Sequence, residues 1–140
     1  MTKSWLLYDY VDGNGRNVFK DFTLCLETKE LAKLNRKLEM LEKEPELPPG
    51  LLVGPLKGFP HLYLLKIKGD VQVRPFLCKG PAHRNREFTL LFGAYEKDSK
   101  YIPPNAWELA EANRLKVEAD PIKRRCRHER IGKKPKTGVC

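Results

Sequence analysis

The sequence predicts an α+β fold: a mainly antiparallel, twisted sheet of about four strands packed on an N-terminal helical hairpin, with a C-terminal helix. Two patterns carry this prediction. Leucines recur at spacings of three and four between residues 31 and 41, which is the period of one helical face. Between residues 62 and 95, short apolar runs alternate with polar turns, as in strands. A chain of 140 residues with 41% hydrophobic content has the size of one domain.

The N-terminal part is predicted to hold one strand and two helices. Residues 4–10 are rich in aromatic and apolar side chains, and a Gly-rich turn follows them. Helices are predicted over 18–27 and 29–44, with Thr28 as the N-cap between them. The second helix ends before Pro45, because proline removes a donor and clashes with the preceding turn. Its leucines are assigned to the core, since two heptads are too few for a dimerising seam.

The middle of the chain is predicted to form a three-stranded meander. Strands over 62–68 and 71–78 flank a Gly-Asp pair that is typical of a tight two-residue hairpin. Pro75 lies inside the second strand and predicts a sheet edge or a bulge, because proline cannot donate to the ladder. The third strand, 87–95, is apolar almost throughout, which indicates burial on both faces and a central position.

The C-terminal part is predicted to be one helix followed by a basic tail. Pro103 and the proline after it suit a helix start, where the missing amide hydrogens would be unpaired anyway. The helix is expected to end at Asp120. Residues 121–140 have few core-forming side chains, so we expect a tail that is flexible or ordered only on binding. The domain proper is predicted to span residues 1–120.

The net charge of +9 is concentrated in two segments. Residues 66–86 hold six Lys and Arg against one acid, and residues 121–140 hold eight against one. Charge that serves solubility usually mixes both signs. Two basic patches on a slightly acidic body therefore indicate a polyanion or an acidic protein as the partner.

Membrane, export and metal signals are weak in this sequence. It has no run of about 18 apolar residues, and its first residues do not resemble a signal peptide. We therefore expect a cytoplasmic protein that does not contact a membrane. Cys126 and His128 could begin a metal site, but no second ligand pair has suitable spacing, so no metal and no cofactor are expected. The four cysteines are expected to be free thiols: Cys25, Cys78, Cys126 and Cys140.

Five short motifs occur in a fixed order along the chain. They are the aromatic strand and turn Tyr8–Gly13, the strand Leu62–Lys66, Arg74 in the next strand, the segment Leu90–Lys97, and Glu108, Ala112 and Arg114 in the last helix. In this order, over residues 4–118, the chain resembles the RelE/HigB toxin superfamily, and most closely its phage-derived, HigB-like branch. The resemblance implies a RelE-like small domain.

The resemblance also implies a function. Members of that superfamily are small ribonucleases that cleave mRNA, often on the ribosome, and are silenced by a co-expressed antitoxin. The chain is thus expected to be the toxin of a toxin–antitoxin system and a metal-independent mRNA endoribonuclease that uses the RNA 2′-hydroxyl. The implied partners are mRNA, the ribosome and a helix-turn-helix antitoxin.

Such cleavage needs a base, an acid, and cations that stabilise charge on the phosphorus oxygens. Arg74, always protonated, is the predicted phosphate clamp. Lys66 and Lys68 are two apart on one strand face and could hold neighbouring phosphates, and Lys66 is also a candidate base. The other catalytic candidates are Lys97, Tyr95 and His83. The predicted RNA contacts are Lys68, Lys79, Arg84, Arg86, Lys100, Arg124, Arg125 and Arg127.

Two other functions stay open, because charged positions depart from the family pattern. Lys66 stands where that branch has arginine, and Asp98 stands where it has a second lysine. A non-catalytic RNA- or protein-binding module of the same fold is one alternative. A gyrase-inhibiting toxin of the same superfamily is the other.

Overall fold

In a computed structural model of the protein, residues 5–43, 50–69, 71–84 and 86–131 are described. These residues form an α+β fold with three helices and one sheet of seven strands. The helices are α1 (Val18–Leu24), α2 (Thr28–Glu42) and α3 (Ala106–Ala119). The strands are β1 (Leu6–Tyr10), β2 (Leu52–Val53), β3 (Tyr63–Leu65), β4 (Gln72–Lys79), β5 (Glu87–Lys97), β6 (Lys100–Ile102) and β7 (Arg125–Arg127).

The sheet is mixed. Its order is β2-β3-β4-β5-β1-β7, and β6 pairs with β5 beside this path. β1 and β5 run parallel, and the other pairs are antiparallel. The predicted count of about four strands is too low, and the sheet contains one parallel pair that was not predicted, although five of its six described strand pairs are antiparallel. β2, β6 and β7 are two or three residues long, too short to show a strand period, and the parallel pair arises because the helical hairpin separates β1 from its neighbour in the sheet.

Helices cover both faces of the sheet. The hairpin of α1 and α2 packs on one face around Phe19, Leu34 and Phe88, and α3 packs on the other face around Phe76 and Ala110. Consecutive residues of β5, Leu90 and Leu91, belong to different clusters and both are fully buried. The prediction that this strand is central and buried on both faces is confirmed.

The ends of the first two helices differ from the prediction by a few residues. Helix α1 begins after Asn17, whose side-chain oxygen accepts a hydrogen bond from the Lys20 amide at 2.9 Å, and it ends at Leu24 rather than at residue 27. Helix α2 begins at Thr28, and its N-cap is Glu27. The Glu30 carboxylate accepts from the Glu27 amide at 3.2 Å, which is half of a capping box. The prediction of Thr28 as the N-cap is wrong.

Pro75 lies inside the sheet and not at its edge. Strand β4 pairs with β3 on one side and with β5 on the other. The β3 ladder reaches Leu64 opposite Phe76 and stops before Pro75, so no ladder bond is lost there. The register of β4 against β5 shifts between Phe76 and Leu77, next to the proline. The bulge alternative therefore holds, and the edge alternative is wrong.

The predicted tail is part of the fold as far as residue 131. Strand β7 pairs antiparallel with β1, and the His128 amide donates to the Leu7 carbonyl at 2.9 Å. The expectation of a flexible tail is wrong for residues 121–131, because buried carboxylates take up its basic side chains. Residues 132–140 lie outside the described residues.

Two further findings concern the cysteines and the membrane. Cys78 and Cys126 are free thiols, whereas Cys25 is disulfide-bonded, which corrects the expectation for that residue. Cys140 lies outside the described residues. In the described part of the chain, no helix has the length and apolar character needed to cross a bilayer.

Candidate nucleic-acid interface

A groove between α2 and the segment after β3 is lined almost entirely by basic side chains. Its lining is Lys33, Arg36, Lys37, Leu51, Lys66, Ile67 and Lys68, and its volume is about 340 Å³. We call it the lysine groove. Five of these seven residues carry a positive charge and none carries a negative one. A concave surface of one charge sign concentrates ions of the opposite sign.

The sequence folds locally so that these bases meet. Lys33, Arg36 and Lys37 are three and four residues apart and share one face of α2, beside its buried leucines. After β3, Ile67 is only 2% exposed and pairs with Val73 through two backbone hydrogen bonds of 3.0 and 3.2 Å. Because side chains alternate along extended backbone, the lysines on either side of Ile67 are exposed.

One hydrogen bond joins the two walls of the groove. The Lys33 Nζ donates to the Lys68 carbonyl oxygen at 3.0 Å, which ties α2 to the segment after β3. Among the described residues, none of the five groove bases has a carboxylate within ion-pair distance. Within the described part of the chain, their positive charges therefore face solvent ions, which a polyanion can displace.

Arg74, the predicted phosphate clamp, lies elsewhere. It is 4% exposed, and its Nε donates to Glu96 Oε1 at 2.7 Å. Its two Nη atoms donate to the Val73 carbonyl at 3.2 Å and to the Gln72 side chain. The guanidinium is thus occupied by protein acceptors, and it does not line the lysine groove.

A second, smaller pocket lies where α3 crosses the ends of β3 and β4. It has a volume of about 90 Å³ and is lined by Pro60, His61, Tyr63, Cys78, Lys79, Arg84, Arg114 and Glu118. We call it the α3 pocket. It collects two of the predicted RNA contacts, Lys79 and Arg84. Burial raises the pKa of the Cys78 thiol to about 12, so this thiol stays protonated at neutral pH and is a poor nucleophile.

The interior side of the α3 pocket is held by an ion pair. Arg114 Nε and Nη2 donate to the two carboxylate oxygens of Glu111 at 2.6 and 2.9 Å. These hydrogen bonds lower the pKa of the Glu111 carboxyl and raise that of Arg114. The planar, bidentate pairing fixes the orientation of the guanidinium.

The other catalytic candidates are dispersed. Lys97 is exposed at the β5–β6 hairpin and shares a cavity of about 620 Å³ with the predicted RNA contact Lys100. Tyr95 faces the helical hairpin, with its ring centroid 5.3 Å from that of Phe22, and burial raises the pKa of its hydroxyl. His83 lies beside Arg86 in a cavity of about 290 Å³ near β1.

The three predicted arginines of the C-terminal segment pack against β1. Arg125 Nη1 donates to Glu87 Oε1 at 2.8 Å, and its guanidinium carbon lies 3.9 Å from the centroid of the Tyr8 ring. Arg127 lies over the same ring at 5.6 Å. Arg124 accepts at its carbonyl from the Val11 amide at 2.8 Å. At least Arg125 is thus a structural residue.

Glu87 and Asp9 are buried acids whose carboxylates hold neighbouring segments of the fold together. Neither role was predicted from the sequence. The Glu87 carboxylate, on a residue 1% exposed, also accepts from the Ala82 and His83 amides at 2.9 and 3.1 Å, so it holds the loop that carries Arg84. The Asp9 carboxylate is bonded to His128 Nδ1 at 2.8 Å. The sequence signal that could have indicated these roles is the position of each acid in a strand that is otherwise largely apolar.

No family model, no curated protein and no solved structure matches this chain. Within the described residues, no group of three or more His, Cys, Asp or Glu side chains is placed to hold a metal ion.

Proposed function

We propose that this protein binds single-stranded RNA in the lysine groove. One observation carries the proposal: five bases from two separate segments line one concave surface, and none of the described residues in its lining is an acid. Neutralised phosphates release their counterions, and that release is the main source of affinity in sequence-independent binding.

The dimensions of the groove favour a flexible single strand over a duplex. Its volume of about 340 Å³ is of the size that takes one small molecule, such as a nucleotide unit. Leu51 adds an apolar patch to the lining, against which a base or a sugar can pack. A rigid duplex presents its phosphates on a convex surface and would reach fewer of the five bases.

Fluorescence anisotropy with a labelled single-stranded RNA tests this proposal. Replacing one base on each wall, in the Lys37→Ala/Lys66→Ala double variant, should weaken binding roughly 20-fold at about 0.1 M salt, from two lost phosphate contacts. The matched control is Lys57→Ala/Lys116→Ala, which removes the same charge from two exposed lysines outside the groove. Equal weakening in both double variants would overturn the proposal.

We also propose a catalytic function for the bound RNA. In this second proposal the RNA is mRNA, the chain is the toxin of a cytoplasmic toxin–antitoxin system, and cleavage proceeds through the 2′-hydroxyl without a metal. The position of Lys66 supports it, since this candidate base lies in the groove and has no carboxylate partner among the described residues. The ribosome and a helix-turn-helix antitoxin would be its partners.

Induction of the chain alone in a bacterium tests the second proposal. Growth should stop and mRNA should be depleted, and Lys66→Ala should relieve the arrest while Lys57→Ala should not. Normal growth with soluble protein present would contradict cleavage and favour a non-catalytic RNA-binding module. Arrest with intact mRNA and blocked DNA replication would favour gyrase inhibition instead.

A further inference from the structure

The α3 pocket is separate from the lysine groove. Strand β4 begins beside the groove, where Val73 pairs with Ile67, and ends at Lys79 in the α3 pocket. Its eight residues span about 23 Å at about 3.3 Å per residue. The groove lies on the side of α2 and the pocket lies on the side of α3, so one ligand group does not occupy both.

The lining of the α3 pocket carries a net positive charge. Lys79, Arg84 and Arg114 contribute three positive charges, and Glu118 is the one acid in the lining. The balance over the lining is +2, and Glu111, which pairs with Arg114 outside the lining, lowers it to +1. A small pocket of net positive charge attracts an anionic group such as a phosphate.

The surroundings of the basic side chains in the α3 pocket leave some of their hydrogen-bond donors available to a ligand. Glu118 Oε1 accepts from Arg84 Nη2 at 3.3 Å and lies 3.6 Å from Arg114 Nη1, so one carboxylate keeps the two guanidinium groups together. No carboxylate among the described residues lies within ion-pair distance of Lys79, whose ammonium is 5.2 Å from the centroid of the Tyr63 ring. Its donors are therefore free to bind an anion.

We propose that the α3 pocket binds a phosphate monoester or inorganic phosphate. Arg84 and Lys79 bind the phosphate oxygens, Arg114 adds positive charge from the interior side, and His61 also lines the pocket. A volume of about 90 Å³ suits a group as small as a phosphate. The Glu87 carboxylate holds the loop of Arg84 through two backbone amides, so the site is arranged before the ligand arrives.

Titration of the full chain with inorganic phosphate tests this proposal, with the NMR signal of the His61 imidazole as the readout. Sodium chloride at equal ionic strength is the reference for screening. The His61 signal should shift saturably with phosphate and not with chloride. Arg84→Gln should weaken phosphate binding at least tenfold, and Arg86→Gln, two residues along the same loop but outside the pocket, should change it less than twofold. A shift no larger than that with chloride, or equal effects of the two variants, would overturn the proposal.

A second comparison identifies the source of the phosphate. Single-stranded RNA with a 5′-phosphate should bind more tightly than the same RNA with a 5′-hydroxyl, and Arg84→Gln should abolish that difference. If inorganic phosphate binds but the 5′-phosphate adds nothing, the ligand is a small phosphate ester. Lys37→Ala/Lys66→Ala should lose RNA affinity and keep phosphate binding, so the two sites fail independently.

Discussion

At the residue scale, two arginines have a different role from the lysines of the groove. Arg74 and Arg125 were both expected to bind phosphate, and each instead pairs with a carboxylate of β5, Glu96 and Glu87 respectively. The partners are 22 and 38 positions apart, which no local pattern reveals. Arginine suits such sites because its fork of donors satisfies several acceptors at once. The lysines of the groove keep their charges exposed.

Replacing Arg74 separates the two roles that have been considered for it. Arg74→Ala should lower the free energy of unfolding by about 1–3 kcal/mol, because Glu96 loses its charged partner in a partly buried site. RNA affinity should change less than twofold. Urea denaturation and anisotropy measure these two quantities, with the exposed Arg86→Ala as control. Unchanged stability together with lost RNA binding would show that Arg74 is a phosphate clamp after all.

At the element scale, long periodic segments were predictable and short or contact-dependent ones were not. The leucine period located α2, and the apolar run located β5 and its central position. Strand β7 has the sequence Arg-Cys-Arg, which shows no strand pattern, and it forms because β1 offers an open edge and buried acids. The close approach of α1 to β5, which Gly93 permits, could not be predicted from the sequence either.

The approach of α1 to β5 depends on the missing side chain of Gly93. A Cβ at this position would lie 2.1 Å from Phe22 Cδ2, far inside contact distance. Gly93→Ala should therefore lower the free energy of unfolding by about 1–3 kcal/mol, as overpacking does. Thermal denaturation measures the loss. In combination with Phe22→Leu the two losses should be less than additive, and a fully additive pair or an unchanged melting temperature would contradict the contact.

The attachment of β7 makes the C-terminal segment a source of stability. In the Arg125→Ala/His128→Ala double variant, Glu87 loses its cationic partner and Asp9 loses its histidine partner, while both acids are 1% exposed. The free energy of unfolding should fall by about 2–5 kcal/mol. In contrast, Lys123→Ala/Arg127→Ala removes two exposed charges and should cost less than about 0.5 kcal/mol. If chemical denaturation shows equally small losses in the free energy of unfolding for both double variants, the C-terminal segment does not stabilise the fold.

At the scale of the whole molecule, the basic segment 66–86 does not form one patch. Its bases are divided between the lysine groove, the interior of the sheet and the α3 pocket, because β4 is about 23 Å long and its side chains alternate between two faces. Three groove bases come instead from α2. Net charge led to the prediction of a polyanionic or acidic partner, whereas the fold is needed to show which bases share a surface.

The salt dependence of RNA binding tests the central claim, that the lysine groove is the RNA-binding surface, most directly. Each neutralised phosphate on a single strand adds about −0.7 to the slope of log K against log salt, so the loss of two phosphate contacts should make the slope shallower by about 1.4. Anisotropy titrations between about 50 and 200 mM salt should therefore give the steeper slope for the wild type and for Lys57→Ala/Lys116→Ala, and the shallower one for Lys37→Ala/Lys66→Ala. Equal slopes for all three proteins, or a flat response in the wild type, would contradict the account.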